Sequence, residues 1–117
     1  MKPLSIHGQY SWYVETLNAL SSLLDIDNDE ELEYKVYEGL DIDIHSIFHE
    51  NSQNEFVKYR LQKEEEKNVV LYIRDKFAKL SNLRLNAKQI RTHQDWIKLI
   101  SIAKELTAKI NNIKKIA

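Results

Sequence analysis

Residues Trp96–Ala117 read WIKLISIAKELTAKINNIKKIA, and the repeat in that stretch decides the fold. Trp96, Leu99, Ala103, Leu106, Ile110, Ile113 and Ala117 follow one another at alternating spacings of 3 and 4. Side chains so spaced line one face of an α-helix. Ile97, Ile100 and Ile102 widen the stripe beyond a two-stranded seam, which favours burial among several helices. Working back along the chain, Phe56, Tyr59, Val70, Ile73, Phe77 and Leu80 fit the same register, with Lys63 and Glu66 at its middle positions. A third repeat, Ile6, Tyr10, Tyr13, Leu17, Leu20 and Leu24, runs near the N-terminus.

End chemistry places the boundaries. Ser52-Gln-Asn-Glu55 and Asn86-Ala-Lys-Gln89 have the form of capping boxes. Ser81–Asn86 is then a short connector, and helices of about 28 residues fold back as an antiparallel hairpin. Asp75/Lys79 and Glu105/Lys109 stand at i,i+4 in the favourable order. With two glycines and one proline, Pro3, the chain has little turn punctuation, which again favours long helices. The expectation is all-α: a single domain over 1–117, a small helical bundle with a long C-terminal antiparallel hairpin.

Charge divides the chain. Residues 1–55 hold twelve acids against Lys2 and Lys35, a net of −10, while residues 56–117 hold fifteen Lys and Arg against six acids, a net of +9. Either the halves pack and neutralise one another, or the asymmetry faces a partner. The acid is densest in Asp25–Ile44, DIDNDEELEYKVYEGLDIDI, with nine carboxylates and one cation. Asn28-Asp-Glu-Glu31 resembles a helix start, Leu32, Val36 and Leu40 share a face, and Gly39 falls near a C-cap. The competing arrangement is a short β-hairpin around 32–45, turning at Glu38-Gly39, which would make the fold α+β. Helix is preferred. Ile26, Leu32, Tyr34, Val36, Tyr37, Leu40, Ile42 and Ile44 would anchor this segment while its carboxylates face water.

Asp25-Ile-Asp-Asn-Asp imitates the start of a calcium loop, but the glycine and the closing glutamate that such a loop needs are Glu30 and Val36. His45 and His49 sit at i,i+4 without a third ligand fixed by spacing, so surface or capping roles are expected and no metal or cofactor is assigned. Arg60, Lys67 and Arg74, then Arg84, Lys88, Arg91 and Lys98, form basic stripes without a phosphate loop or a nucleic-acid reading motif. Lys63 and Glu66 read most simply as a weak surface pair, with a polar pocket or register device between helices as the other account. Trp12 and Trp96 read most simply as core or seam residues, with an exposed Trp12 beside Tyr10 and Tyr13 as an interface anchor the other account.

Cysteine is absent, which removes disulfides and thiolate chemistry. MKPLSIHGQYSW lacks the apolar run of a signal peptide, and the longest apolar runs are far short of a membrane span, so a cytoplasmic address without membrane contact is expected. No catalytic pair is fixed by spacing, and no enzyme is expected. The leading expectation is a protein-interaction module binding a basic protein through Asp25, Asp27, Asp29, Glu30, Glu31, Glu33, Asp41 and Asp43. An inhibitor, immunity or antitoxin-type protein that blocks a nucleic-acid enzyme is its concrete form. The alternatives are a nucleic-acid-binding hairpin using the basic stripes, and a helical subunit whose seams continue into a homo-oligomer.

Overall fold

The computed structural model describes residues 5–116, with side chains through residue 111, and every regular element among them is helical. Helix α1 (Ile6–Ser21) starts at Ser5, whose hydroxyl accepts the Gly8 N–H at 3.0 Å. A 3₁₀ turn (Leu23–Asp25) leads to α2 (Asp29–Tyr34), which runs through a π-helical turn (Lys35–Leu40) into α3 (Asp41–Ile47). Helices α4 (Glu50–Lys58), α5 (Glu64–Asn82), α6 (Ala87–Thr92) and α7 (Gln94–Ile116) follow. The β-hairpin alternative is thereby overturned: residues 32–45 are helical throughout.

The π turn follows from apolar spacing. Leu32, Val36, Leu40, Ile44 and Phe48 are all fully buried and stand four residues apart. A regular helix turns every 3.6 residues, so each such step would carry the next side chain about 40° further round. A wider turn absorbs the surplus and keeps all five on the core. Gly39 therefore lies inside the helix and not at its end, with no positive φ. A Cβ there would first meet the flexible Lys35 Cδ at 3.4 Å. Gly39→Ala is expected to raise stability by about 0.5–1 kcal/mol through helix propensity; a lower denaturation midpoint would contradict this.

The second repeat is not one long helix. Helix α4 stops at Lys58 in a Schellman arrangement: Leu61 N–H bonds to the Phe56 carbonyl at 2.9 Å and Arg60 N–H to that of Val57 at 3.0 Å. Arg60 takes the left-handed conformation, φ 60°. The chain resumes helix at Glu64, because Gln62–Asn68 offers no apolar residue to hold a continuous rod on the core. Nor does Ser52 cap this region. Helix α4 starts earlier, at Glu50, and His49 Nδ1 accepts the Asn51 N–H at 3.2 Å.

The Asn86–Gln89 capping box does form, with both reciprocal bonds at 2.9–3.0 Å. It opens only the short α6, since His93 is extended and separates α6 from α7. Helices α5 and α7 pack antiparallel: Phe77 meets Trp96 edge-on at 5.6 Å, and Tyr72, earlier in α5, shares a cleft with Ile102, later in α7. Helix α7 packs on α1 and α6 as well, so the hairpin is embedded in a bundle. Tyr13, Leu17, Leu20, Phe56, Phe77, Trp96, Leu99 and Ala103 join the α2–α3 residues in one core. Each large apolar side chain there contributes roughly 1.5–3 kcal/mol before entropy is subtracted. Ile113 and Ala117, which close the third repeat in sequence, lie outside the described side chains. Among the described residues no helix is long and apolar enough to cross a membrane.

Candidate interaction surface

The acidic stretch folds into the rod from Asp29 to Ile47. Asn28 caps it, accepting the Glu31 N–H at 2.9 Å, and Asp29, Glu30 and Glu31 occupy the first turn, where the helix dipole favours carboxylates. The segment is pinned from the side. Tyr37 donates its hydroxyl to the Leu85 carbonyl at 2.7 Å, and the Arg84 guanidinium lies 5.2 Å over the Tyr37 ring. Arg91 donates to Asp29 at 3.2 Å and to the Asp27 carbonyl at 3.1 Å.

The expected partner-binding acids are distributed unevenly. Asp25, Asp27, Asp29, Glu30 and Glu31 are exposed, while Glu33, Asp41 and Asp43 sit half-buried on the flanks. Asp41 pairs with His45 at 3.3 Å and Asp29 with Arg91, so both are partly committed within the fold. Of the anchors expected from sequence, Leu32, Val36, Leu40 and Ile44 are buried and Ile26 and Tyr37 partly so. Tyr34 and Ile42 instead stand outward, at 67% and 62% exposure. Together with Glu30 and Glu38 they make a row at four-residue spacing, kept in line by the same wide turn that aligns the buried stripe. The row Glu30–Tyr34–Glu38–Ile42 spans roughly 17 Å. Tyr34 and Ile42 are the surface residues that counting charges missed, and Glu38 is the carboxylate left out of the expected partner-binding set.

The two charged halves touch but do not neutralise one another. Among the described residues, Arg91–Asp29 is the one ion pair that joins them; Lys67–Glu64 and Arg74–Asp75 lie within the basic half and His45–Asp41 within the acidic half. Neither of the expected pairs Asp75/Lys79 and Glu105/Lys109 closes, since Asp75 turns to Arg74. The basic stripes are correspondingly interrupted. Lys67 is engaged by Glu64 and Asn54, Arg74 by Asp75, Arg84 by Tyr37 and Arg91 by Asp29. Arg60, Lys88 and Lys98 are exposed.

A buried polar chain lies on the other side of the rod. Tyr13 donates its hydroxyl to Glu66 Oε2 at 2.9 Å, and Gln62 Nε2 donates to the same oxygen at 3.0 Å. Gln62 Nε2 also donates to Gln53 Oε1 at 2.7 Å, and Gln53 Nε2 to the Ile47 carbonyl at 2.9 Å. This chain ties α1 and the end of α3 to the α4–α5 break. Glu66 thus faces inward, and the surface pair with Lys63 expected from sequence does not form: Lys63 is exposed at the start of α5. Burial raises the Glu66 carboxyl above its ordinary pKa, against the lowering effect of its two hydrogen bonds. Burial, then the Glu66 charge, pushes the Tyr10 hydroxyl up to about 12 and drives the Tyr13 hydroxyl higher still.

A raised folded-state value means that Glu66 stabilises the protein fully only below the unfolded-state value, and that this contribution is lost as pH climbs through the folded one. Glu66→Gln keeps an acceptor for Tyr13 and needs no buried charge. At neutral pH it is expected to melt within about 1 kcal/mol of the parent or above it. The difference in stability between variant and parent should then change across the acid range. A pH-independent difference would overturn the assignment.

Elsewhere, His49 is consumed as the α4 cap, and the described residues hold no group of three or more metal-ligating side chains. An open depression of about 500 Å³ lies at the α6–α7 junction, lined in part by Gln89, His93 and Asp95. His93 and Asp95 share no hydrogen bond there. Trp96 is fully buried, as a seam residue should be, and Trp12 packs partly buried against the core. Comparison with protein-family models, curated proteins and solved structures gives no match. The surface must be read from its own chemistry.

Proposed function

We propose that this chain is a non-enzymatic interaction module whose acidic rod docks on a basic protein. One observation carries the reading: a single ion pair joins the two halves among the described residues, leaving the outward carboxylates of the rod unneutralised beside exposed Tyr34 and Ile42. Dense carboxylates steer encounter with a cationic surface, and an aromatic and an aliphatic anchor supply the desolvated contact that charge alone does not. A protein that inhibits a nucleic-acid enzyme, in the manner of an immunity protein or antitoxin, fits these requirements, because such an enzyme presents a cationic cleft. The compartment in this reading is the cytoplasm. The engagement of Lys67, Arg74, Arg84 and Arg91 within the fold speaks against a continuous phosphate-binding stripe.

The test is affinity capture after nuclease treatment, comparing the parent with Glu30→Gln/Glu31→Gln/Glu38→Gln. Asp29 is spared because its carboxylate holds Arg91. A basic protein retained by the parent, released by salt and lost with the triple variant is the expected result. Capture that nuclease treatment abolishes, or retention of the same protein by both forms, would overturn the proposal.

A further inference from the structure

Helices α5 and α7 leave between them a narrow cleft of about 40 Å³, lined by Tyr72, Lys76, Asp95, Lys98, Leu99 and Ile102. Lys76 and Lys98 have no ion-pair partner among the described residues, and Tyr72 is 44% exposed. The cleft therefore sets two cations without ion-pair partners and one carboxylate beside Tyr72 and Ile102. The rod has the inverse pattern. Glu30 and Glu38 are free carboxylates, Lys35 is the segment's one cation, and Tyr34 and Ile42 supply the apolar contact.

We infer that rod and cleft pair between copies, the rod of one molecule lying along the α5–α7 cleft of the next. The apolar side chains agree: Tyr34 and Ile42 of the row can lie over exposed Tyr72 and half-buried Ile102 at the cleft's rim. The charges agree as well, and the fold leaves both sets unpaired within the molecule. Rod and cleft are different surfaces, so the contact is head-to-tail, and it propagates or closes into a ring. It uses the rod of the proposed function but not its conclusion, since a foreign basic protein and a second copy compete for the same row.

The experiment is sedimentation equilibrium of the purified full chain over a wide concentration range, at low and at high salt. The parent is expected to exceed its chain mass of 13.9 kDa with rising concentration, and high salt to reverse the increase. Glu30→Lys/Glu38→Lys and Lys76→Glu/Lys98→Glu each remove one face, and each is expected to weaken association at least about tenfold. The four side chains are exposed or half-exposed, and a thermal melt checks that both variants fold. Mixed in equal amounts, the two variants should associate again, because the parent rod of one meets the parent cleft of the other and the two reversed faces are themselves opposite in charge. A parent of constant chain mass overturns the inference, as does a mixture that stays monomeric. Nuclease-resistant capture of a basic protein by a parent that stays monomeric would leave the proposed function standing without this one.

Discussion

Leu106→Asp is expected to abolish cooperative folding. Leu106 lies on the face of α7 that joins the core, 5% exposed, and α7 packs against α1, α5 and α6. The substitution removes a buried leucine, a loss of about 2–5 kcal/mol from such sites. It also asks the seam to hold a carboxylate, whose burial without a partner costs several kcal/mol more. Domains of this size are stable by only about 5–15 kcal/mol. The sum reaches that margin, so far-UV circular dichroism should show lost helix and no sigmoidal melt. A cooperative transition near that of the parent would remove α7 from the centre of the fold.

Tyr13→Ala carries the second largest effect. The ring is fully buried and contacts Tyr10, Phe48 and Phe56 at centroid separations of 5.4–5.6 Å. Truncating such an aromatic costs about 3–5 kcal/mol. It also takes the hydroxyl from Glu66. Tyr13→Phe separates the two contributions: it keeps the ring and removes only the donor, for about 1.5–3 kcal/mol. In a Glu66→Gln background the same change should cost less, since no buried charge is then deprived of its partner. A double-mutant cycle reads the coupling directly. Additive effects would mean that the hydroxyl and the carboxylate do not stabilise one another.

Much of the bundle was legible in the sequence because burial imposes a period. The repeats through Tyr13, Leu17 and Leu20 and through Trp96, Leu99 and Ala103 follow 3, 4 spacing, and those residues form the core. The breaks were less legible. Chains commonly leave a helix on glycine, but here Arg60 and Arg84 take the left-handed conformation at φ 60° and 53°, in spite of roughly 1–2 kcal/mol against it. No residue type announces those turns. The inward direction of Glu66 was hidden for another reason: its partner Tyr13 is 53 positions away, so no local window contains the pair.

The acidic segment shows a different limit. Its helical state followed from Asn28 and from the residues at 32, 36 and 40, but which apolar side chains would face water did not. Tyr34 and Ile42 looked like anchors because hydrophobicity was visible and phase was not. The wide turn sets that phase, turning them out and Ile44 in. The surface acids were recognisable as a group, whereas the separation of Asp29 and Asp41 from the free carboxylates required the positions of Arg91 and His45.

That turn also makes the chain's length at this point matter. Removing one residue between Val36 and Leu40 would leave the buried series from Leu32 to Ile47 spaced 4, 3, 4 and 3, the rhythm of an unbroken α-helix. A one-residue deletion there would thus restore a regular helical rhythm and, in the same step, break the outer line of Glu30, Tyr34, Glu38 and Ile42.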